Sequence, residues 1–148
     1  MIKMEITPYT RKANYYETDQ MGVIHHSNYI RWFEEARIDF LEQAGFGYKK
    51  MEDAGIISPV LAVACEYKSM VRFGDTVTIH VGIESMTGVR MIVTYRVEDA
   101  QSGELRTIGE TRHCFLNTKG RPVSLEKALP EVLTRFKALM APPLVSED

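Results

Sequence analysis

From Asn28 to Ala44 the chain reads NYIRWFEEARIDFLEQA, with Tyr29, Trp32, Phe33, Ala36, Phe40 and Ala44 three or four residues apart. That interval is the spacing of one helical face, so the run predicts an amphipathic helix whose apolar stripe must be covered by another element. Gly45 supplies a stop signal at its end. Ser27 or Asn28 is expected to cap its start, because a short polar side chain can accept a hydrogen bond from an unpaired backbone N–H of the first turn.

Outward from this helix the pattern changes. Tyr9 to Tyr16 reads as a first strand, and Glu17 to Asn28 as a loop rich in acids with Gly22 and two adjacent histidines. A short helix is expected near Tyr48 to Ala54. Beyond it the period becomes two: Val77, Ile79, Val81 and Ile83 alternate with Thr78, His80, Gly82 and Glu84, and Met91, Val93, Tyr95 and Val97 alternate with Ile92, Thr94 and Arg96. Two more strands are expected at about Ile57 to Val71 and Glu104 to Asn117. Turn residues at Phe73-Gly74-Asp75, Met86-Thr87-Gly88 and Gln101-Ser102-Gly103 separate the strands as antiparallel neighbours. A last helix runs roughly from Pro130 to Met140, with Pro130 suited to its first turn, and the end from Ala141 reads as frayed. The sum is an α+β domain in which an antiparallel five-stranded sheet wraps one long helix. One helix cannot cover both faces and all edges of such a sheet. Leu61, Ala62, Val63, Ala64 and Cys65 are apolar in succession, so a homodimer or homotetramer that buries the second surface or an edge is expected.

Composition narrows the function. A chain of 148 residues fits a single domain over 1–148, and 45% hydrophobic with 26% charged residues is ordinary for a globular one. The net charge of -2 is spread along the chain with no basic run, which argues against nucleic acid as a partner. The start, MIKMEITPYTRK, lacks the apolar core of a signal peptide, and no stretch approaches the roughly 20 apolar residues of a membrane span, so a cytoplasmic protein is expected. Cys65 and Cys114 lie in apolar strand-like runs and read as buried free thiols.

The loop before the helix carries the chemistry. Tyr16-Glu17-Thr18-Asp19-Gln20-Met21-Gly22-Val23-Ile24-His25-His26-Ser27-Asn28-Tyr29, followed by Arg31-Trp32-Phe33-Glu34-Glu35-Ala36-Arg37, resembles the signature of the 4-hydroxybenzoyl-CoA thioesterase family and, within it, the YbgC-like acyl-CoA thioesterases. Tyr67, Phe73-Gly74-Asp75 and Gly120-Arg121-Pro122 sit where that family has similar residues, and the likeness extends over about residues 9 to 140. The resemblance implies a hotdog fold and an acyl-CoA substrate, with coenzyme A as part of the substrate and no cofactor. It puts Asp19 on the catalytic position and the carbonyl-polarising backbone N–H on His26, with His25, Asn28 and Tyr29 beside the substrate.

Elementary chemistry agrees. A thioester needs a nucleophile or activated water, and stabilisation of the charge that grows on its carbonyl oxygen. Free N–H groups at a helix start supply the second and a loop carboxylate the first. Gly22 would let backbone approach the acyl group closely. Direct attack by Asp19 and general-base activation of water both remain open. The coenzyme phosphates are expected on exposed basic residues, with Lys68, Arg72, Arg90, Lys119 and Arg121 as candidates.

Plainer readings stand beside these. Asp19 can be a simple turn or cap residue, and Glu34 and Arg37 can form a structural ion pair at helical neighbour spacing. Trp32, Phe33, Phe40 and Tyr48 can line an acyl pocket or be ordinary core. Cys114 and His113 are adjacent on a strand and point to opposite faces, which disfavours a nucleophile and base pair. His25, His26, His80 and His113 lack a metal-ligand spacing, so no metal is expected. Two rival functions are a hydroxyacyl dehydratase or hydratase pairing His26 with Glu34 or Glu35, and a non-catalytic module that binds an acyl thioester on coenzyme A or a carrier protein.

Overall fold

The computed structural model describes residues 5–144. Its elements run β1 (Tyr9–Lys12), α1 (Asn28–Gln43), α2 (Tyr48–Asp53), β2 (Val60–Tyr67), β3 (Thr76–Met86), β4 (Arg90–Asp99), β5 (Leu105–Cys114), α3 (Leu125–Ala128) and α4 (Pro130–Ala138). The strands form one antiparallel sheet in the order β1-β3-β4-β5-β2, so the two strands that flank α1 in sequence sit at opposite edges. The apolar stripe of α1 faces this sheet: Trp32, Phe33, Ala36 and Phe40 are buried with Val77, Ile79, Val93, Tyr95 and Val97, the residues whose alternation marked β3 and β4. The Phe33 ring stacks on Tyr95 with centroids 4.3 Å apart. Gly109 of β5 permits this approach, because a Cβ there would lie 2.5 Å from the Phe33 ring. A five-stranded antiparallel sheet around one central helix is the hotdog arrangement.

Several boundaries differ from the sequence reading. β1 stops at Lys12, and Tyr15–Glu17 forms a 3-10 turn instead of extending the strand to Tyr16. β2 and β5 are shorter than Ile57 to Val71 and Glu104 to Asn117, and α3 was not expected. The end from Ala141 is not frayed over its described part: the Ala141 N–H donates to the Ile83 carbonyl at 2.9 Å and the Leu144 N–H to Thr94 Oγ1 at 3.4 Å. The rest of that segment, 145–148, lies outside the described residues.

β2 is an edge strand, and Val60, Leu61 and Val63 on it are 46%, 52% and 41% exposed. Ile30 and Ile38 on α1 are also exposed. Cys65 and Cys114 are free thiols. No helix among the described residues is long and apolar enough to cross a membrane.

Candidate active site

The loop between β1 and α1 is fixed at both ends by one residue. Glu17 is buried, and its Oε1 accepts from the Asn14 N–H at 2.9 Å and from Arg11 Nη1 at 2.6 Å, while Oε2 accepts from Trp32 Nε1 at 2.8 Å. Its backbone carbonyl accepts from the His25 N–H at 2.8 Å and from Asn28 Nδ2 at 2.9 Å. Burial alone would raise the Glu17 carboxyl, but the Arg11, Trp32 and Asn14 hydrogen bonds outweigh it and hold the group below its usual value. In the sequence Glu17 stands out only as one acid of the loop. The signal that marks it is Asn14-x-x-Glu17, a capping-box spacing, which the structure forms.

Between these ties the chain makes a tight turn. Thr18 and Ile24 form an antiparallel bridge, the Asp19 N–H donates to the Val23 carbonyl at 2.8 Å, and Gly22 closes the turn at φ 80°. Asp19 Oδ1 accepts from the Met21 N–H at 2.8 Å and, more weakly, from the Val23 N–H at 3.4 Å. Asp19 is thus a turn residue, yet only one of its oxygens is used. Oδ2 makes no hydrogen bond among the described residues. The need for glycine at position 22 comes from its backbone angle, and the space where a Cβ would stand is open.

Asp19 borders a cavity of about 300 Å³ at the start of α1, together with His26, Tyr29, Tyr67 and Lys68. Met21, Val23, Ile24 and Met70 give it apolar walls. The His25 carbonyl accepts from the Asn28 N–H at 3.0 Å, which orients the peptide between His25 and His26, and the His26 N–H on that peptide has no partner among the described residues. The cap expected from Ser27 or Asn28 is not formed. Ser27 already has helical backbone angles, and Asn28 uses its side chain as a donor to Glu17. The His25 ring takes over: its Nδ1 accepts from the Ser27 N–H at 3.1 Å, with Ser27 Oγ 2.8 Å away, and it stacks on the His26 ring at 4.2 Å.

The candidate basic residues separate into two groups. Lys68 lines the cavity and pairs with Glu66 at 2.9 Å, and Arg72 bridges Val23 in the same loop. Arg90 starts β4 opposite Cys114, and Lys119 and Arg121 lie in a turn whose N–H groups both donate to Asn117 Oδ1. Tyr67 pairs with Thr107, so these three residues stand near the other end of β5, roughly 23 Å away along the strand, and do not line the Asp19 cavity of the same chain.

Glu34 and Arg37 form no ion pair. Arg37 is buried and donates through Nε to Tyr48 Oη and through Nη1 to Tyr95 Oη, both at 2.8 Å. Tyr95 Oη lies 2.7 Å from Thr111 Oγ1, which lies 2.8 Å from His113 Nε2, while His113 Nδ1 meets the Ser58 carbonyl at 3.4 Å. Glu34 lines a different cavity, of about 410 Å³, with Arg37, Tyr48 and Ser58. Glu35 accepts from Arg11 Nε at 2.7 Å and Tyr9 Oη at 3.0 Å. Neither glutamate lines the cavity that His26 borders, so among the described residues of one chain the dehydratase pairing is not assembled. Trp32, Phe33 and Phe40 are core, whereas Tyr48 borders the second cavity. Among the described residues no group of three or more His, Cys, Asp or Glu is placed to hold a metal.

A family model described as the thioesterase-like superfamily matches residues 14–141. A putative esterase of Aquifex aeolicus is 39% identical over 127 residues, which is 84% of this chain and 95% of that protein. The putative acyl-CoA thioesterase YneP of Bacillus subtilis is 31% identical over 135 residues, 90% of this chain and 97% of YneP. Among solved structures, DHNA-CoA thioesterase from Staphylococcus aureus aligns with a TM-score of 0.84 at 33% identity, covering 88% of each chain.

Proposed function

The chain belongs to the thioesterase-like superfamily, and on that premise we propose that it hydrolyses an acyl-coenzyme A thioester to a carboxylic acid and free coenzyme A. One observation carries the reading: the Oδ2 of Asp19 and the N–H of His26, neither of which has a partner among the described residues, belong to residues that border one cavity at the start of α1. A thioester carbonyl lodged there accepts from the His26 N–H, and the positive end of the helix dipole favours the charge that develops on its oxygen. Asp19 then acts in one of two ways. Its carboxylate attacks the carbonyl carbon, expels the thiolate and leaves an anhydride that water cleaves, or it takes a proton from the water that attacks. Both routes end in the acid and the thiol.

The assembly in this reading is a homodimer paired through β2. That strand is an edge with exposed apolar residues, and Ile30 and Ile38 extend the uncovered surface onto α1. Antiparallel pairing of two β2 strands would bring the Val60 end of one chain beside the Tyr67 end of the other. Arg90, Lys119 and Arg121 of one chain would then approach the Asp19 cavity of the next, where Lys68 and Arg72 already stand, and together they offer contacts for the coenzyme phosphates.

Asp19→Asn tests the chemistry. The asparagine oxygen can still accept from the Met21 N–H, so the turn survives while basicity and nucleophilicity are removed. Release of free thiol, followed with a disulfide reagent, should slow at least about a hundredfold. Affinity for a non-hydrolysable thioester analogue should change little, because the His26 amide is untouched. A folded Asp19→Asn protein that releases coenzyme A near the parent rate sinks the assignment. A parent protein that binds acyl-CoA without releasing thiol leaves the binding-module reading in its place.

A further inference from the structure

An amide can stabilise an oxyanion only if its peptide plane does not turn when charge appears, because reorganisation at that moment costs what the hydrogen bond gains. Two ties in the loop already limit the His26 region: the Asn28 N–H on the His25 carbonyl and the Ser27 N–H on His25 Nδ1. Both come from neighbouring residues, so they would move with the loop. A third comes from elsewhere in the chain. Tyr67 Oη donates to the His26 carbonyl at 3.2 Å, across 41 positions in sequence.

The strand side of this tie is anchored. Immediately after Tyr67, the Lys68 and Ser69 N–H groups both donate to the Arg106 carbonyl, at 2.8 and 3.1 Å, and Ser69 Oγ donates to the Leu105 carbonyl at 2.7 Å. The ring itself meets Tyr29 edge-on at 5.3 Å and His26 edge-on at 6.3 Å, so packing places it independently of its hydroxyl. From this geometry we infer that Tyr67 is a positioning residue of the thioester site: its hydroxyl locks the His26–Ser27 peptide to the end of β2 and, across the His26 Cα, limits how far the neighbouring peptide that carries the His26 N–H can turn. The inference rests on the proposed role of that amide. Burial and the neighbouring Cys65 push the Tyr67 hydroxyl up to about 12, so it keeps its proton, and remains a donor, across the neutral range.

Tyr67→Phe keeps the ring and removes the tie. With the acyl-CoA that the parent hydrolyses fastest among short, long and aromatic chains, the turnover number should fall roughly ten- to a hundredfold with the Michaelis constant little changed, as expected for a displaced catalytic group. The distinguishing measurement is the carbonyl stretch of the same ¹³C-labelled acyl-CoA bound to Asp19→Asn protein, which should consume it slowly enough for the bound band to be recorded. The band should lie to the red of its position in water, and adding Tyr67→Phe should move it back toward the solution value. Unchanged turnover in Tyr67→Phe overturns the inference. So does lost turnover with an unmoved band, which would mean that Tyr67 acts on the leaving thiolate. No red shift in the Asp19→Asn protein itself would remove the His26 role first and this inference with it.

Discussion

The hydrogen bonds that run from Arg37 to His113 use every proton along Tyr95, Thr111 and His113 in one direction only. A guanidinium only donates, so Tyr48 and Tyr95 accept from it with their oxygens. The Tyr95 proton is used only if it goes to Thr111 and the Thr111 proton to His113 Nε2, which leaves Nδ1–H for the Ser58 carbonyl. Every position is filled only when His113 is neutral. Burial, followed by the charge of Arg37, lowers its pKa from 6.5 to about 4. The unfolded chain therefore takes up a proton as pH falls through 6.5, whereas the folded protein does not until about 4. Stability should decline between these values as acid is added and be retained in full above them. Glu17 adds its own loss only further down, since its carboxylate is held below 4.5. Melting temperatures recorded from pH 7 to 4 should show the decline in the parent and a shallower one in His113→Gln; equal slopes would remove His113 as the cause. The place of Asp19 in the loop before α1 was legible at this scale because its turn is local and its motif contiguous. Arg37 was not, because Tyr95 and Tyr48 come from other elements and helical spacing pointed to Glu34.

Elements were legible where one face is buried. The alternations in β3 and β4 stand as read, and the stripe of α1 ends within a residue of the expected place. The end of β1 was obscured by Tyr15 and Tyr16, which have strand-like side chains but are 75% and 79% exposed on a turn. α3 is a single turn held by Leu125, too short to show a period. The apolar run Leu61 to Cys65 lies within β2, and this feature yields a prediction. Val63 pairs with Thr111, which is buried on the α1 side of the sheet, yet Val63 itself is exposed there. If β2 is the seam of a homodimer, Val63→Lys sets a charge in it, one of the means by which edge strands are kept apart. Sedimentation at micromolar concentration should then give a dimer for the parent and a monomer or unfolded chain for the variant. A parent protein that is a stable folded monomer removes the dimer.

At the scale of the whole molecule, the order β1-β3-β4-β5-β2 divides the sheet into a centre of sequence neighbours and two edges that arrive from afar. β3, β4 and β5 follow one another through short turns, whereas Tyr9 must find Ile79 and Val60 must find His113. Closing those longer loops costs more chain entropy before any contact offsets it, so during refolding the central meander should form first and the edges later. Pulse-labelled amide exchange should find β3 to β5 protected ahead of β1 and β2, and simultaneous protection would set this order aside. The proposed thioester site draws Asp19 from the loop after β1 and Tyr67 from the end of β2, one piece from each late edge. A nascent chain would thus acquire most of its structure before it acquires a site able to cleave a thioester, and recovery of activity would time the final step of folding.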